Sequence, residues 1–349
     1  MPSFNSYNGW VALARCEEFV SVGSQMNSDA ANAARCQDRT GTYEVWYVTV
    51  AEPERRRGFW FRYTTFNPTH EGEAEAHSAL WAFSFDYDDP SANWGAKVLF
   101  PVGELRVQSR PFVLRLNDSL LMRKGCSGRF TSEHGSASWD LRWDSREPPF
   151  PIPQPQWQML SSACNIGSQP ALKVSGRIEI NGKAYHLENA PGGQQHTWGS
   201  SHALEWNWGF ASGNDFWFDG LTARLRSKVG RVLHTTALGA HAREHRFIFN
   251  GLVQMLSNRG PISPDGWTAQ ARLGSRVMNV SVTPRREDLI GVTYNDPAGG
   301  TRFCYHTEVA DLRLRLAQGD QPLAMISRRA AAAFEYASDT PVPGLPVLF

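Results

Sequence analysis

Between Pro191 and Asp219 the chain gathers side chains able to move a proton or steady a cation: His196, Trp198, Trp206, Trp208, Trp217 and Asp219. His196 and Trp198 stand at i, i+2 spacing, as do Trp206 and Trp208, and Trp217 and Asp219. On a strand such pairs face one side, so three neighbouring strands would present an imidazole, a carboxyl group and several indoles to one cavity. A carboxyl group walled in by aromatic rings loses hydration, which raises its pKa and keeps part of it protonated near neutrality. Asp219 would then serve as a general acid toward an alkene or enone, with His196 fixing the acid or relaying the proton. Desolvated indole faces would each stabilise a cationic transition state by ~1–2 kcal/mol. The same spacing also fits a buried histidine bonded to a carbonyl beside a packed tryptophan ladder.

Other strings are poorer candidates. His241-Ala242-Arg243-Glu244-His245 matches H-x-x-E-H, but that zinc chemistry needs the histidines on one face of a helix. Gly239 before the string and Phe247-Ile248-Phe249 after it predict a polar hairpin turn instead. Ser200, Ser201 and His202 lack the Gly-x-Ser-x-Gly elbow of a nucleophilic serine. Gly192-Gly193 and Gly299-Gly300 lack the strand-to-helix context that cradles phosphates and are expected in turns. Cys304, His306 and Glu308 would share one strand face, but a small buried thiol is the commoner role of such a cysteine, so this trio is left outside the site.

The elements that must position these groups read as strands. Tyr43–Val50 and Phe59–Phe66 are aromatic and β-branched runs joined by a charged turn at 52–57, a hairpin signature. Asn181-Gly182 predicts another hairpin, between Leu172–Ile180 and Lys183–Leu187. Many short strands at roughly 8–12-residue spacing predict an all-β fold of two antiparallel barrel or sandwich units. Arg328–Tyr336 is the one stretch expected to be helical. Pro148, Pro149, Pro151, Pro153 and Pro155 cannot donate to a sheet ladder and favour an extended joint. The expected division is an N-terminal β-domain over 1–147, a linker over 148–158 and a C-terminal β-domain over 159–349.

Bulk properties narrow the partners. A net charge of +1 leaves no electrostatic footprint for nucleic acid. No 18-residue apolar run is present to span a membrane, and residues 1–25 lack the pattern of a signal peptide. Five cysteines at irregular spacings (Cys16, Cys36, Cys126, Cys164, Cys304) read as reduced thiols in a reducing, cytoplasmic compartment. The 13 tryptophans suit either packed sheet faces or the wall of a wide cavity.

The His196-Thr197-Trp198-Gly199 stretch, Trp206-Asn207-Trp208 and the strand ending in Asp219 resemble the two-domain, lipocalin-like family of carotenoid 1,2-hydratases and AttH-type proteins. Tocopherol cyclases and fungal Diels–Alderases are more distantly similar. Glu44-Val45-Trp46-Tyr47 resembles the family's aromatic N-terminal hairpin, and Trp139-Asp140-Leu141 its domain-end strand. The resemblance runs from about residue 40 to residue 316. It implies two lipocalin-like (calycin) barrels with few short helices and cofactor-free chemistry on a large apolar substrate, isoprenoid, lipid or polyketide-like. By motif, His196 and Asp219 would be catalytic, and Trp198, Trp206, Trp208 and Trp217 would bind substrate. This chain carries Trp217 where the hydratases carry tyrosine. Hydration, cyclisation or isomerisation is the expected chemistry, with no metal or cofactor, and with transient membrane contact as a route to substrate. A non-catalytic carrier of a lipid or pigment is the alternative.

Overall fold

In the computed structural model, residues 26–36, 39–69, 75–145, 147–226 and 230–349 are described; Cys16 and the whole of the 1–25 stretch considered above lie outside them. Apolar and β-branched residues dominate the runs that pair, and nearly all regular structure is antiparallel strand. The first strands are β1 (Thr42–Glu52), β2 (Arg57–Asn67), β3 (His77–Asp86), β4 (Trp94–Pro101), β5 (Leu105–Ser109) and β6 (Phe112–Leu116). They continue as β7 (Ser119–Met122), β8 (Gly125–Ser132), β9 (Gly135–Ser145), β10 (Phe150–Ile152), β11 (Ala163–Ile180) and β12 (Lys183–Gly199). Together they form a 12-stranded sheet in the order β4-β3-β2-β1-β12-β11-β9-β8-β7-β6-β5, with β10 added to β11.

A second, 9-stranded sheet follows. Its members are β13 (Glu205–Ser212), β14 (Phe216–Arg226), β15 (Val232–Ala242), β16 (His245–Phe249) and β17 (Trp267–Leu273). β18 (Arg276–Thr283), β19 (Ile290–Asn295), β20 (Thr301–Gln318) and β21 (Gln321–Ser338) complete it. The helices are short, chiefly α1 (Ser28–Asn32) and α2 (Leu252–Ser257). None among the described residues is long and apolar enough to cross a membrane. The chain passes from one sheet to the other at residues 200–204, while Phe150–Ile152 of the Pro-rich stretch pairs with β11 in the first sheet.

Both expected hairpins form, β1 with β2 around the charged turn and β11 with β12 around Asn181-Gly182. Strand alternation then gives the first sheet two buried faces. Trp46, Val48 and Val50 of β1 and Phe59, Phe61 and Tyr63 of β2 point into the sheet's own core. Tyr43, Val45, Tyr47 and Trp60 point the other way, against Trp206, Trp208, Phe210 and Tyr294 of the second sheet. A two-faced strand of this kind needs large side chains on both sides, which is where much of the tryptophan goes. At Gly58 the sheets touch so closely that a Cβ would lie 2.3 Å from Glu308 Cβ.

The expected helix at 328–336 is instead part of β21. Its alanines have good helix propensity, but Ala333 and Ala337 pack toward the first sheet while Ala332, Phe334 and Tyr336 pack into the second sheet's own core. Period-2 burial on both faces overrides local preference. Small residues let β21 sit between the two layers.

Candidate functional site

A cavity of about 440 Å³ lies between the two sheets. Its lining passes from exposed apolar side chains, Leu160, Leu233 and Leu256, to a buried end formed by Tyr47, Trp60, Arg62, Trp206, Trp208 and Glu335. The combination of a mostly apolar wall with a few convergent polar groups is that of a small-molecule site.

Glu335 is the carboxylate at that end. β21 pairs with β13 and β20, placing Glu335 opposite both Trp208 and His306. Trp206 Nε1 donates to Glu335 Oε2 at 3.0 Å and the Tyr294 hydroxyl donates to Oε1 at 3.1 Å. His306 Nδ1 lies 3.5 Å from Oε1, and His306 Nε2 lies 2.9 Å from Glu308 Oε1. Burial alone would lower the imidazole pKa, but the hydrogen bonds and charge of Glu308 and Glu335 outweigh it and raise His306 to about 9. Burial pushes Glu308 up to about 7 against the pull of His306. Burial also pushes on Glu335, yet His306, Trp206 and Arg62 together hold it down to about 2. The three groups titrate as a unit, with the proton kept on His306 and Glu335 ionised. Burial holds the phenols of Tyr47 and Tyr294 well above their ordinary value, so both remain proton donors.

Asp219 stands one layer behind this wall. β14 alternates, so Phe218 enters the second sheet's core while Asp219 faces the first sheet. Trp208 Nε1 donates to its Oδ1 at 3.0 Å and Gln195 Nε2 to its Oδ2 at 2.9 Å. Burial pushes the carboxyl up to about 7, more than those two hydrogen bonds pull it down. The space it occupies exists because residue 167 is glycine: a Cβ there would lie 2.8 Å from Asp219 Oδ2.

Of the residues singled out in the sequence, Trp206, Trp208 and Asp219 are brought together, and the two indoles line the cavity. His196 and Trp198 are not with them. Gln195 and His196 are consecutive on β12, so when Gln195 reaches Asp219, His196 must point to the opposite face. There it stacks on Trp46, with ring centroids 4.7 Å apart. Its Nδ1 faces the Ala31 carbonyl at 2.7 Å and its Nε2 faces Glu44 Oε1 at 2.8 Å. Trp198 packs there with Ala31 and Ile166. Trp217 shares a face with Asp219 but packs against Phe150 and Met255, its indole donating to Glu147 Oε2 at 3.0 Å. The H-x-x-E-H string forms the turn between β15 and β16, and His241 Nδ1 lies 2.9 Å from Glu147 Oε1.

His196 thus ties α1 to the sheet. His196→Ala should cost about 1–3 kcal/mol, because it strips partners from a buried carboxylate and a buried carbonyl, yet leave apolar ligand binding unchanged. Chemical denaturation and ligand titration on the same variant check both halves. Lost binding in a folded variant would contradict the placement.

The residues missed by sequence reasoning are Glu335, His306, Arg62, Tyr47 and Tyr294. The Cys304/His306/Glu308 alternation contained part of the signal. So did Arg62, a lone charge amid Phe59-Trp60-Phe61 and Tyr63.

No family model matches the chain. An uncharacterized protein of Mycobacterium tuberculosis, found in two strains, is 24% identical over 306 residues, covering 84% of this chain and 88% of that protein. Among solved structures, an AttH-type protein from Nitrosomonas europaea superposes with a TM-score of 0.50 at 14% identity, over 86% of this chain and 93% of that one. Kievitone hydratase from Nectria haematococca superposes with a TM-score of 0.53 at 10% identity, over 91% and 96%. The chain has the all-β fold of these two proteins, which are of the kind its sequence motifs resemble.

Proposed function

We propose that the inter-sheet cavity is the reaction chamber of a cofactor-independent acid–base enzyme that hydrates, cyclises or isomerises a large apolar molecule. The observation that carries this reading is Glu335: an ionised carboxylate, its side chain 13% exposed, at the inner end of an aromatic cavity, backed by a protonated histidine and a second carboxyl group. His306 first passes its Nδ1 proton to Glu335 Oε1, and Glu335 then passes that same proton to an alkene carbon of the substrate. Glu308, part-protonated near neutrality, restores His306. The carbocation left on the substrate is met by the carboxylate that has just given up its proton and by the faces of Trp206 and Trp208, the kind of contact worth ~1–2 kcal/mol per desolvated ring. Water attack gives hydration, attack by a second double bond gives cyclisation, and loss of a different proton gives isomerisation.

Asp219, which stands behind the cavity wall, is proposed to position Trp208 by accepting its indole hydrogen bond. The fold shared with kievitone hydratase, by its name a hydratase, supports the reading without assigning a substrate. Incubation with a lipid extract in deuterated water, followed by mass spectrometry, is the test. A product carrying solvent deuterium on carbon is expected. A bound compound recovered unaltered and unlabelled would assign the cavity to carriage of a lipid or pigment instead.

A further inference from the structure

The buried end of the cavity also holds Arg62, and this guanidinium has an unusual environment. It is 5% exposed and lines the cavity. Its Nε donates to Thr64 Oγ1 at 3.0 Å, and its two terminal NH₂ groups have no protein acceptor among the described residues. No carboxylate oxygen of those residues lies within 4.0 Å of its nitrogens. The charge is instead flanked by π faces: the Tyr294 ring centroid is 4.1 Å from Cζ, that of Trp81 4.9 Å and that of Trp60 5.6 Å.

A cation removed from water normally needs an ion pair or metal-like coordination to persist. Aromatic faces replace part of the lost hydration, but they leave the outward-pointing N–H donors of the fork unused. The nearest carboxylate in function, Glu335, is already served by Trp206, Tyr294 and His306. On the reading of the cavity as a site for a large apolar molecule, we infer that the ligand carries a single carboxylate, bound by the terminal nitrogens of Arg62, with its apolar body running outward toward Leu160, Leu233 and Leu256.

Three features favour a carboxylate over other polar heads. The planar fork of arginine matches two coplanar oxygens in a bidentate pair. One fixed cation balances a monoanion, whereas a phosphate dianion would place excess negative charge beside Glu335. A neutral hydroxyl would offer the terminal N–H donors of Arg62 only a single uncharged acceptor. Arg62 and Glu335 both lie against Tyr294, the first over its ring and the second at its hydroxyl. The reacting carbon is therefore close to the carboxylate head rather than at the far end of the tail.

The test uses a matched pair of fluorescent probes, cis-parinaric acid and its methyl ester, read by energy transfer from tryptophan. The acid should bind roughly ten- to a hundredfold tighter than the ester, the range expected for a charge-assisted bidentate contact. Arg62→Gln should bring the acid down to the level of the ester and leave the ester unchanged, while Arg62→Lys should keep part of the preference. If Arg62→Gln does not fold, the acid-to-ester ratio of the unchanged protein and of Arg62→Lys decides the matter. Equal binding of acid and ester overturns the anchor and leaves the apolar cavity standing. Binding of neither probe removes the cavity reading and the anchor with it.

Discussion

Glu335→Gln is expected to reduce deuterium incorporation by at least about 100-fold, the scale of a lost general acid–base group, while apolar ligands still bind. The amide keeps the size of the side chain and accepts one of the hydrogen bonds from Trp206 and Tyr294. It can neither take up nor release the proton. The same change removes one of the two carboxylates that raise His306 to about 9, so the imidazole pKa should fall. Proton NMR of the His306 ring across pH 6–10 checks this without any substrate. A ring that titrates at the same pH in both proteins would show that Glu335 and His306 are not coupled, and the relay would be wrong.

The second large effect is on stability. The Asp219 carboxyl is raised from 3.8 to about 7 by burial. In this case the folded state holds a proton more tightly than the unfolded state does. The stabilising difference is therefore fully present below pH 3.8 and is lost as pH rises through about 7. At ~1.36 kcal/mol per pH unit, the loss approaches ~4 kcal/mol above the higher pKa. Asp219→Asn removes the charge that must be buried. The new amide would meet the donor of Gln195, but Gln195 Oε1 has no partner among the described residues, and turning that amide over restores a hydrogen bond. Asp219→Asn should thus be more stable than the unchanged protein by about 2–4 kcal/mol at pH 8.5 and no more stable at pH 4, as urea denaturation at the two pH values would report. A gap of the same size at both pH values would place the effect elsewhere.

Much of the fold was legible because antiparallel strands write their signature locally. The turn residues at 52–57 and at Asn181-Gly182, flanked by aromatic and β-branched runs, sufficed to place two hairpins that carry part of the cavity wall. What escaped was set by contacts distant in sequence. Ala330–Ala333 read as helix because their burial on two faces appears only once both sheets are assembled. The site divided in the same way. Strand alternation correctly grouped Trp206 with Trp208 and Trp217 with Asp219, but it could not say that β12 turns Gln195, rather than His196, toward Asp219. The histidine, carboxylate and indoles sought at 196–219 meet at His306, Glu335, Trp206 and Trp208. Three strands from the end of the chain and its middle supply them, with no motif to join them.

The pairing of β1 with β12 sets the order in which the protein can be made. Tyr43 pairs with Gly199 and Val50 with Gly192, so the ribosome must add well over a hundred residues before the strand begun at Thr42 acquires its second neighbour. Until then β1 offers an open edge, rich in tyrosine, tryptophan and valine, to any other strand nearby. Closing so large a loop is slow, and the delay falls on one of the most apolar segments of the chain. Yield on expression should accordingly depend more on the rate of synthesis, and on chaperones that shield this edge, than on the stability of the finished molecule.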